Sequence, residues 1–388
     1  MFKYIFMRAI KAVKQKYQPS QEILCLLEQF RLMVNECVRI GLEENVSSLG
    51  TLSKKAYHQL SRYKTLSYYR YTAMSNATGL LSAYRKSLKK HLETKKPHVT
   101  KLMLMDCYGF KIIDGQLRLS LGNRRFTYIG LNNYVLRSIR GYTVRSVCLT
   151  ARNLSIAFSK ETVLIDPAGL IGIDRNLSNI TSANSKGEIK VYDLSKAVEI
   201  KETYRNVKCH FKRNDVRVRK RIYGKYGRKQ KYRVHQILHR ASKKVVEEAK
   251  ANSFGIVLEN LKGIRKLYRK GNGQGKRYRG RMNNWGFYEF QRQVEYKALW
   301  EGIPVYYVHP HGTSSVCAIC GSKILECINR KVYCLKCDKT VDRDINAAKN
   351  ILARGALRFG ANGLVSEAMN QLKDGKSIQV SQVNQPKT

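Results

Sequence analysis

Two cysteine pairs constrain this chain more than any other feature. Cys317-x2-Cys320 and Cys334-x2-Cys337 are separated by thirteen residues. Each pair lets two thiolates from one tight turn reach a single ion, and two such turns close a tetrahedral shell of four sulfurs. Gly321 follows the first pair, where such a knuckle must turn sharply. The spacing predicts one Zn²⁺ with no open coordination position, so a structural ion and not a catalytic one. Cys327 lies between the pairs at a poor spacing for a ligand. With Cys25, Cys37, Cys107, Cys148 and Cys209 it is scattered, mostly among apolar residues, and these six read as buried thiols.

Charge limits the partner. The chain holds 73 Lys and Arg against 28 Asp and Glu, a net charge of +45, over 388 residues. Such a field opposes compactness and serves no enzyme of small neutral metabolites. With 43% hydrophobic and 10% aromatic residues the chain is no disordered basic tail. A folded protein of two or three domains with a large polyanion as partner is expected, nucleic acid first. Charges interrupt the opening MFKYIFMRAIKAVK, so no signal peptide is expected there, and no apolar run approaches the roughly 18–20 residues that span a bilayer. A cytoplasmic protein of a prokaryotic cell with no membrane partner is the expectation.

Along the chain, residues 2–12 alternate as a strand. Ile23, Leu26, Leu27, Phe30, Met33, Val34, Cys37 and Val38 recur at helical spacing behind a Ser20 cap. Helices are predicted over about 51–63 and 67–94, then short strands with DG and GN turns over 98–165. Past Pro167, LIGID and a second strand read as a hairpin, residues 196–251 as mostly helical, FGIVLE as a buried strand, 262–281 as a Gly-rich basic loop, 285–300 as a helix and IPVYYV as a strand.

Three carboxylates stand out against the basic background. Asp174 lies in the apolar LIGID, Glu259 ends FGIVLE, and Asp344 opens the helix after the cysteines. Singly, Glu259 could be a surface residue and Asp344 a helix N-terminal acid. Together, adjacent parallel strands carry Asp174 and Glu259 to one sheet edge, and a helix alongside adds Asp344. That is a hard oxygen site suited to Mg²⁺, and two ions there could hydrolyse a phosphodiester.

Two segments account for much of the positive charge. Residues 201–240 hold fifteen Lys and Arg against two acids, and residues 262–281 hold nine and no acid. Arg213, Arg217, Arg219, Arg221, Arg228, Lys229 and Arg233 in the first, and Lys276, Arg277 and Arg279 in the second, are candidate phosphate contacts. Tyr68, Tyr69 and Tyr71, with Arg70 and Lys86, read as helix packing or as a stacking surface for nucleic acid.

GIDRN at 172–176, VLENL at 257–261 and DRDINAAKNI at 342–351 resemble the three RuvC motifs of the TnpB family, which is similar to the compact type V CRISPR effectors. Trp285, Phe287 and Phe290 fit the family's W-x-F-x-x-F, and Thr313-Ser314 its TS dipeptide before the first CxxC. The resemblance covers roughly 165–355 strongly and the first 160 residues in layout only. It implies an α/β fold: an RNase H-like RuvC nuclease domain (166–308 and 342–356) with an inserted zinc ribbon (309–341). Ahead of it would lie a wedge-like β-barrel domain (1–18 and 96–165) interrupted by a helical recognition insertion (19–95), and behind it a mobile tail (357–388). It implies an RNA-guided DNA endonuclease of an insertion sequence, with Asp174, Glu259 and Asp344 catalytic and Asp342 and Asn346 supporting or capping. Two catalytic Mg²⁺, a guide RNA from the transposon end, a double-stranded DNA target beside a short duplex motif and a link to a companion transposase follow. A miniature CRISPR effector, a nuclease-inactive RNA- or DNA-binding regulator and a guide-free transposase are the alternatives. One departure is that many relatives have Gly where Asn176 stands, so the turn after Asp174 differs.

Overall fold

The computed structural model describes residues 6–63, 65–90, 93–122, 124–211, 215–269, 271–358 and 380–382. The chain divides into two compact units, residues 8–160 and residues 1–7 with 161–388.

In the first unit a strand, β1 (Phe6–Lys16), leads into α1 (Gln21–Glu43), whose Ser20 cap accepts a bond from the Ile23 amide at 3.3 Å. The stripe from Ile23 to Val38 is buried as its spacing predicts. One helix predicted over 51–63 is instead α2 (Leu49–Ala56) followed by a 3₁₀ turn at Gln59–Tyr63. Leu52, Ala56 and Leu60 stay buried across the break, so the same apolar spacing serves both arrangements. The next helix, α3 (Ser67–Leu88), ends short of residue 94. Nothing beyond Leu81 is buried, so no packing supports further turns. Tyr69 is buried and donates to the Ser120 carbonyl at 2.8 Å, while Tyr71 is about half exposed.

The strands that follow are β2 (Met103–Asp106), β3 (Phe110–Ile113), β4 (Gln116–Gly122) and β5 (Arg125–Gly130), then α4 (Asn133–Ile139), β6 (Thr143–Thr150) and β7 (Asn153–Val163). They form a sheet ordered β1-β7-β6-β2 and a second ordered β3-β4-β5. The predicted Asp114-Gly115 turn joins β3 to β4 with φ of +48° and +72°, the left-handed pair that a tight hairpin requires.

The second unit is built on β8 (Gly169–Arg175), β9 (Asn179–Asn184) and β10 (Ile189–Asp193), then α5 (Ser195–Cys209), a π-helical segment (Val218–Tyr223) and α6 (Gly224–Ala251). After β11 (Phe254–Glu259) come α7 (Lys276–Asn283), α8 (Phe287–Trp300) and β12 (Val305–Val308). The loop predicted over 262–281 is therefore partly helical, with a 3₁₀ turn at Ile264–Tyr268 as well as α7; in α7 no Gly falls before Gly280 to break the turn. Strands β13 (Leu325–Glu326), β14 (Lys331–Cys334) and β15 (Lys339–Asp342) make a small sheet, and α9 (Arg343–Arg358) follows at once. Of the tail, Val380–Gln382 forms β16 parallel to β10; residues 359–379 and 383–388 lie outside the described residues.

The main sheet runs β12-β11-β8-β9-β10-β16, with β11 parallel to β8 and β12, and β9 antiparallel to its neighbours. Alternation along β8 and β11 decides what faces what. Ile171, Ile173, Ile256 and Leu258 pack with α6 and α8, whereas Leu170 and Val257 pack with Ala348, Ile351 and Leu352 of α9. Asp174 and Glu259, in step with the second set, therefore share the α9 side, and Arg175 points the other way. Gly172 lets α9 come close: a Cβ there would lie 2.4 Å from the Leu352 amide nitrogen and 2.5 Å from the Ala348 carbonyl oxygen. Helix backbone cannot yield as a side-chain tip would, so Gly172→Ala should lower stability by about 1–3 kcal/mol or more in urea unfolding and push Asp344 away from Asp174.

Candidate active site

The parallel register pairs Leu258 with Ile173, which places Glu259 beside Asp174 at the C-terminal ends of β8 and β11, about 4.8 Å apart between strand axes. Asp344 stands in the first turn of α9, on the same side. The three predicted acids are thus brought to one edge, and all are buried. Each is held by a donor. Thr313 Oγ1 donates to Glu259 Oε1 at 2.6 Å, Asn176 Nδ2 to Asp174 Oδ2 at 2.7 Å, and Asn179 Nδ2 to Asp344 Oδ2 at 3.1 Å.

Arg330 reaches in from the cysteine segment. Its Nη2 donates to Asp344 Oδ1 and, at 3.1 Å, to Asn176 Oδ1. Asn329 and Arg330 have φ of +60° and +59°, a left-handed turn that aims this guanidinium. On the opposite face Arg175, fully buried, clamps the floor. It donates to the Glu259 carbonyl, to Gln291 Oε1 at 3.0 Å and to the Phe287 carbonyl at 3.4 Å. Burial pulls Arg175 down to about 10, still charged at neutral pH. Trp285 Nε1 donates to the Asn176 carbonyl at 3.0 Å, tying the segment before α8 to the turn after Asp174.

Burial, then the charges of Glu259 and Asp344, push Asp174 up to about 7; Asn176 and Arg330 oppose this. Glu259 is raised as well, chiefly by burial. Three carboxylates gather here and their donors are hard oxygens, so a divalent cation of the Mg²⁺ type fits the residues present. The oxygens of the three acids are not all within 4.8 Å of one another; among the described residues the cysteine group alone meets that measure. An unfolded aspartate titrates near 3.9, so folded Asp174 takes up a proton between about pH 4 and 7. In Mg²⁺-free buffer its contribution to stability is present at low pH and is lost as pH rises through about 7, by on the order of 4 kcal/mol, a loss that Asp174→Asn removes. Urea unfolding of both proteins from pH 4.5 to 8 tests this, and Mg²⁺ binding should tighten with pH over the same window.

The four cysteines converge as predicted, with all ligand atoms within 4.8 Å of one another. Cys317 Sγ lies 3.9 Å from Cys337 Sγ and Cys320 Sγ 3.5 Å from Cys334 Sγ. A zinc tetrahedron with bonds of about 2.3 Å has edges of about 3.8 Å, so the group fits the ion. Gly321 has φ +74° and its amide donates to the Cys317 carbonyl at 2.9 Å, closing the knuckle. Cys327 is exposed and outside the group. The expectation of buried thiols fails for most of the scattered cysteines: Cys37 is buried and Cys148 half-buried, but Cys25, Cys107, Cys209 and Cys327 are exposed. Apolar neighbours in sequence point to both faces of an element, so they do not bury the residue between them.

Asp342 caps α9, its Oδ1 accepting from the Asp344 amide at 2.8 Å and the Ile345 amide at 3.0 Å. Asn346 staples the ribbon to α9 through the Ala318 amide at 2.9 Å and the Val316 carbonyl at 2.8 Å, and Asn350 adds bonds to the Thr313 and Val316 carbonyls. Among the proposed phosphate contacts, Arg217, Arg221, Arg228, Lys229, Arg233, Lys276 and Arg277 are exposed and in no ion pair among the described residues. Arg279 is half-buried and donates to the Gln274 carbonyl. Arg213 and the Arg219 side chain lie outside the described residues. Arg175, Asn179 and Arg330 were not singled out by the sequence reading. Arg330 in particular sits at no metal-ligand spacing, and only its left-handed turn brings it to the acids.

Fold and site together define a mixed α/β protein with a buried carboxylate cluster docked on a four-cysteine ribbon. Residues 287–351 match the family described as Cas12f1-like, TNB domain. A TnpB-like protein of Methanocaldococcus jannaschii is 28% identical over 260 residues, 63% of this chain and 92% of the relative. InsQ of Escherichia coli, described as a putative RNA-guided DNA endonuclease, is 45% identical over 74 residues, 18% of each chain. The fold is similar to that of a Cas12f1 solved by cryo-electron microscopy with single guide RNA and target DNA, at a TM-score of 0.58 and 16% identity over 86% of this chain and 83% of that one. The chain is therefore similar to TnpB-like proteins and, in fold, to a compact type V effector. Among the described residues no helix is long and apolar enough to cross a membrane.

Proposed function

We propose that the protein is an RNA-guided DNA endonuclease of an insertion sequence, with Asp174, Glu259 and Asp344 as its catalytic carboxylates. The observation that carries this is the convergence of the three acids, from β8, β11 and α9, beside a cation that the ribbon supplies. The strand order β10-β9-β8-β11-β12, antiparallel on one side of β8 and parallel on the other, supports an RNase H-like reading of residues 166–308 and 342–356, with 309–341 as the inserted ribbon. The strands and helices of residues 8–160 would be the wedge-like barrel and its helical recognition insertion. Relatives named as RNA-guided or CRISPR-associated endonucleases support the activity.

Asp174, Glu259 and Asp344 would hold two Mg²⁺ ions, whose chemistry would be to activate a water and stabilise the leaving oxygen of a phosphodiester. The chain's own residues do the rest. Thr313, Asn176 and Asn179 aim the carboxylates, Arg175 locks the ends of β8 and β11 to α8, and Arg330 offers a guanidinium to the scissile phosphate. A cavity of about 500 Å³ opens beside the end of β11, lined by Lys262, Arg265, Phe287 and Tyr288 among others. It lies on the α8 side with Arg175 and includes none of the three acids, and its basic and aromatic lining suits an unpaired strand.

Arg217, Arg221, Arg228, Lys229 and Arg233, exposed and in no ion pair among the described residues, would grip the phosphates of guide and target. Changing Arg228, Lys229 and Arg233 together to Gln should reduce the slope of log affinity against log salt by about 2 to 3, at about 0.7–0.9 for each phosphate left without its cation, in filter-binding across 50–300 mM NaCl. The decisive experiment is purification from cells that carry the flanking locus, sequencing of the co-purified RNA, and cleavage of DNA complementary to it. A discrete RNA from the transposon end that directs cutting supports the proposal. A repeat-spacer RNA would favour a CRISPR effector, and no RNA would overturn RNA guidance.

A further inference from the structure

We infer that Asn176 is a positioning residue that orients the Asp174 carboxylate and the Arg330 guanidinium against each other, an inference that rests on the carboxylate site proposed above. Three bonds converge on this one residue. Its Nδ2 donates to Asp174 Oδ2 at 2.7 Å, its Oδ1 accepts from Arg330 Nη2 at 3.1 Å, and its carbonyl accepts from Trp285 Nε1 at 3.0 Å. A side-chain amide offers a donor to a carboxylate and an acceptor to a guanidinium at the same time, on two separate atoms. A carboxylate here would serve Arg330 and repel Asp174, and a lysine would do the reverse.

Backbone geometry does not account for an asparagine at this place. Residue 176 is not among the positions with positive φ, so it has no need of a left-handed conformer. What the side chain adds is the link. Arg330 comes from the ribbon and Trp285 from the segment before α8, and both meet Asp174 through Asn176 and not directly. Arg330 itself is bonded to Asp344, so one continuous chain of bonds runs Asp174–Asn176–Arg330–Asp344 across the mouth of the site. Loss of the amide frees Asp174 to rotate and leaves Arg330 held at one end only.

The test uses Asn176→Gly, which keeps the carbonyl that Trp285 holds, and Asn176→Ala, which removes the same amide without the added backbone freedom of glycine. On the full-length, zinc-loaded chain free of nucleic acid, Mn²⁺ binding followed by electron paramagnetic resonance should weaken about 10- to 100-fold in both variants, counting only binding that Asp174→Asn abolishes. In the guide-loaded complex, kcat for DNA cleavage should fall by a similar factor with KM within about twofold. Combined with Arg330→Gln, the kcat loss should be smaller than the product of the two single losses, as for two residues of one network. Mn²⁺ affinity within about twofold of wild type in both variants, or kcat losses that simply multiply, would overturn the inference. A wild-type complex that binds Mn²⁺ at Asp174 but cuts no DNA would sink the nuclease reading alone, and the Mn²⁺ measurement would still decide the role of Asn176.

Discussion

Asp174→Asn should abolish cleavage of guide-complementary DNA, by about a thousandfold or more, and at neutral pH should leave the protein more stable than wild type. The two effects have one cause. Burial and the charges of Glu259 and Asp344 disfavour the ionised form of Asp174, so its charge costs stability in the metal-free protein. The amide of asparagine has the same shape and no charge, which removes that cost. The same substitution removes a hard oxygen ligand, and metal-ion stabilisation of a transition state is worth several kcal/mol, or roughly 1.4 kcal/mol per tenfold in rate. RNA affinity should stay within about twofold, because the candidate phosphate contacts lie on α6, α7 and the segment before α6 and not at the sheet edge. Single-turnover cleavage, urea unfolding at pH 7.5 and filter binding on one preparation separate these outcomes. Retained cleavage would remove Asp174 from the catalytic set, and lost RNA binding would show that the substitution damaged the fold.

Cys317→Ser should also damage cleavage, although no cysteine touches the carboxylates. Zinc binding in small ribbon-like peptides contributes about 10–16 kcal/mol of apparent folding free energy, so losing one thiolate of four opens the whole segment. That segment carries Arg330, which bonds Asp344, and begins just after Thr313, which bonds Glu259. Bonds from Asn346 and Asn350 to the Val316 and Ala318 backbone then lose their partners too. Zinc measured by mass spectrometry should fall well below one per chain, with cleavage reduced at least about tenfold. Cys327→Ser, outside the group and exposed, should change neither. Full zinc occupancy in the Cys317 variant would refute the ribbon assignment.

The extent to which the chain could be read without its fold differs from one residue to the next. Asp174 and Glu259 were legible because an ionisable residue in a buried apolar strand is a local contradiction that needs an explanation close by. The cysteine pairs were legible because metal geometry restricts spacing within a single turn. Helix α1 was legible because its stripe repeats over several turns. The break between α2 and the 3₁₀ turn, the end of α3 and the helix inside residues 262–281 were not, because each depends on what packs against the segment and not on its own pattern. Burial of the scattered cysteines was not legible either, because apolar neighbours in sequence do not decide which face the residue between them takes.

By itself the amino-acid sequence determined the excess of positive charge, the paired spacing of the four clustered cysteines, the identity of the three acids and the family resemblance of residues 165–355, since each rests on residue type and short-range spacing. Only the tertiary structure decided how the acids are served. Arg330 arrives by a left-handed turn of the ribbon, Arg175 by the outward alternation of β8, Thr313 from beyond β12 and Asn176 by sitting between Asp174 and Arg330. Those contacts join residues up to 154 positions apart, and contacts at such separation leave no period in a chain. They exist because Gly172 lets α9 close on β8 and because the parallel pairing of β8 with β11 sets Glu259 beside Asp174.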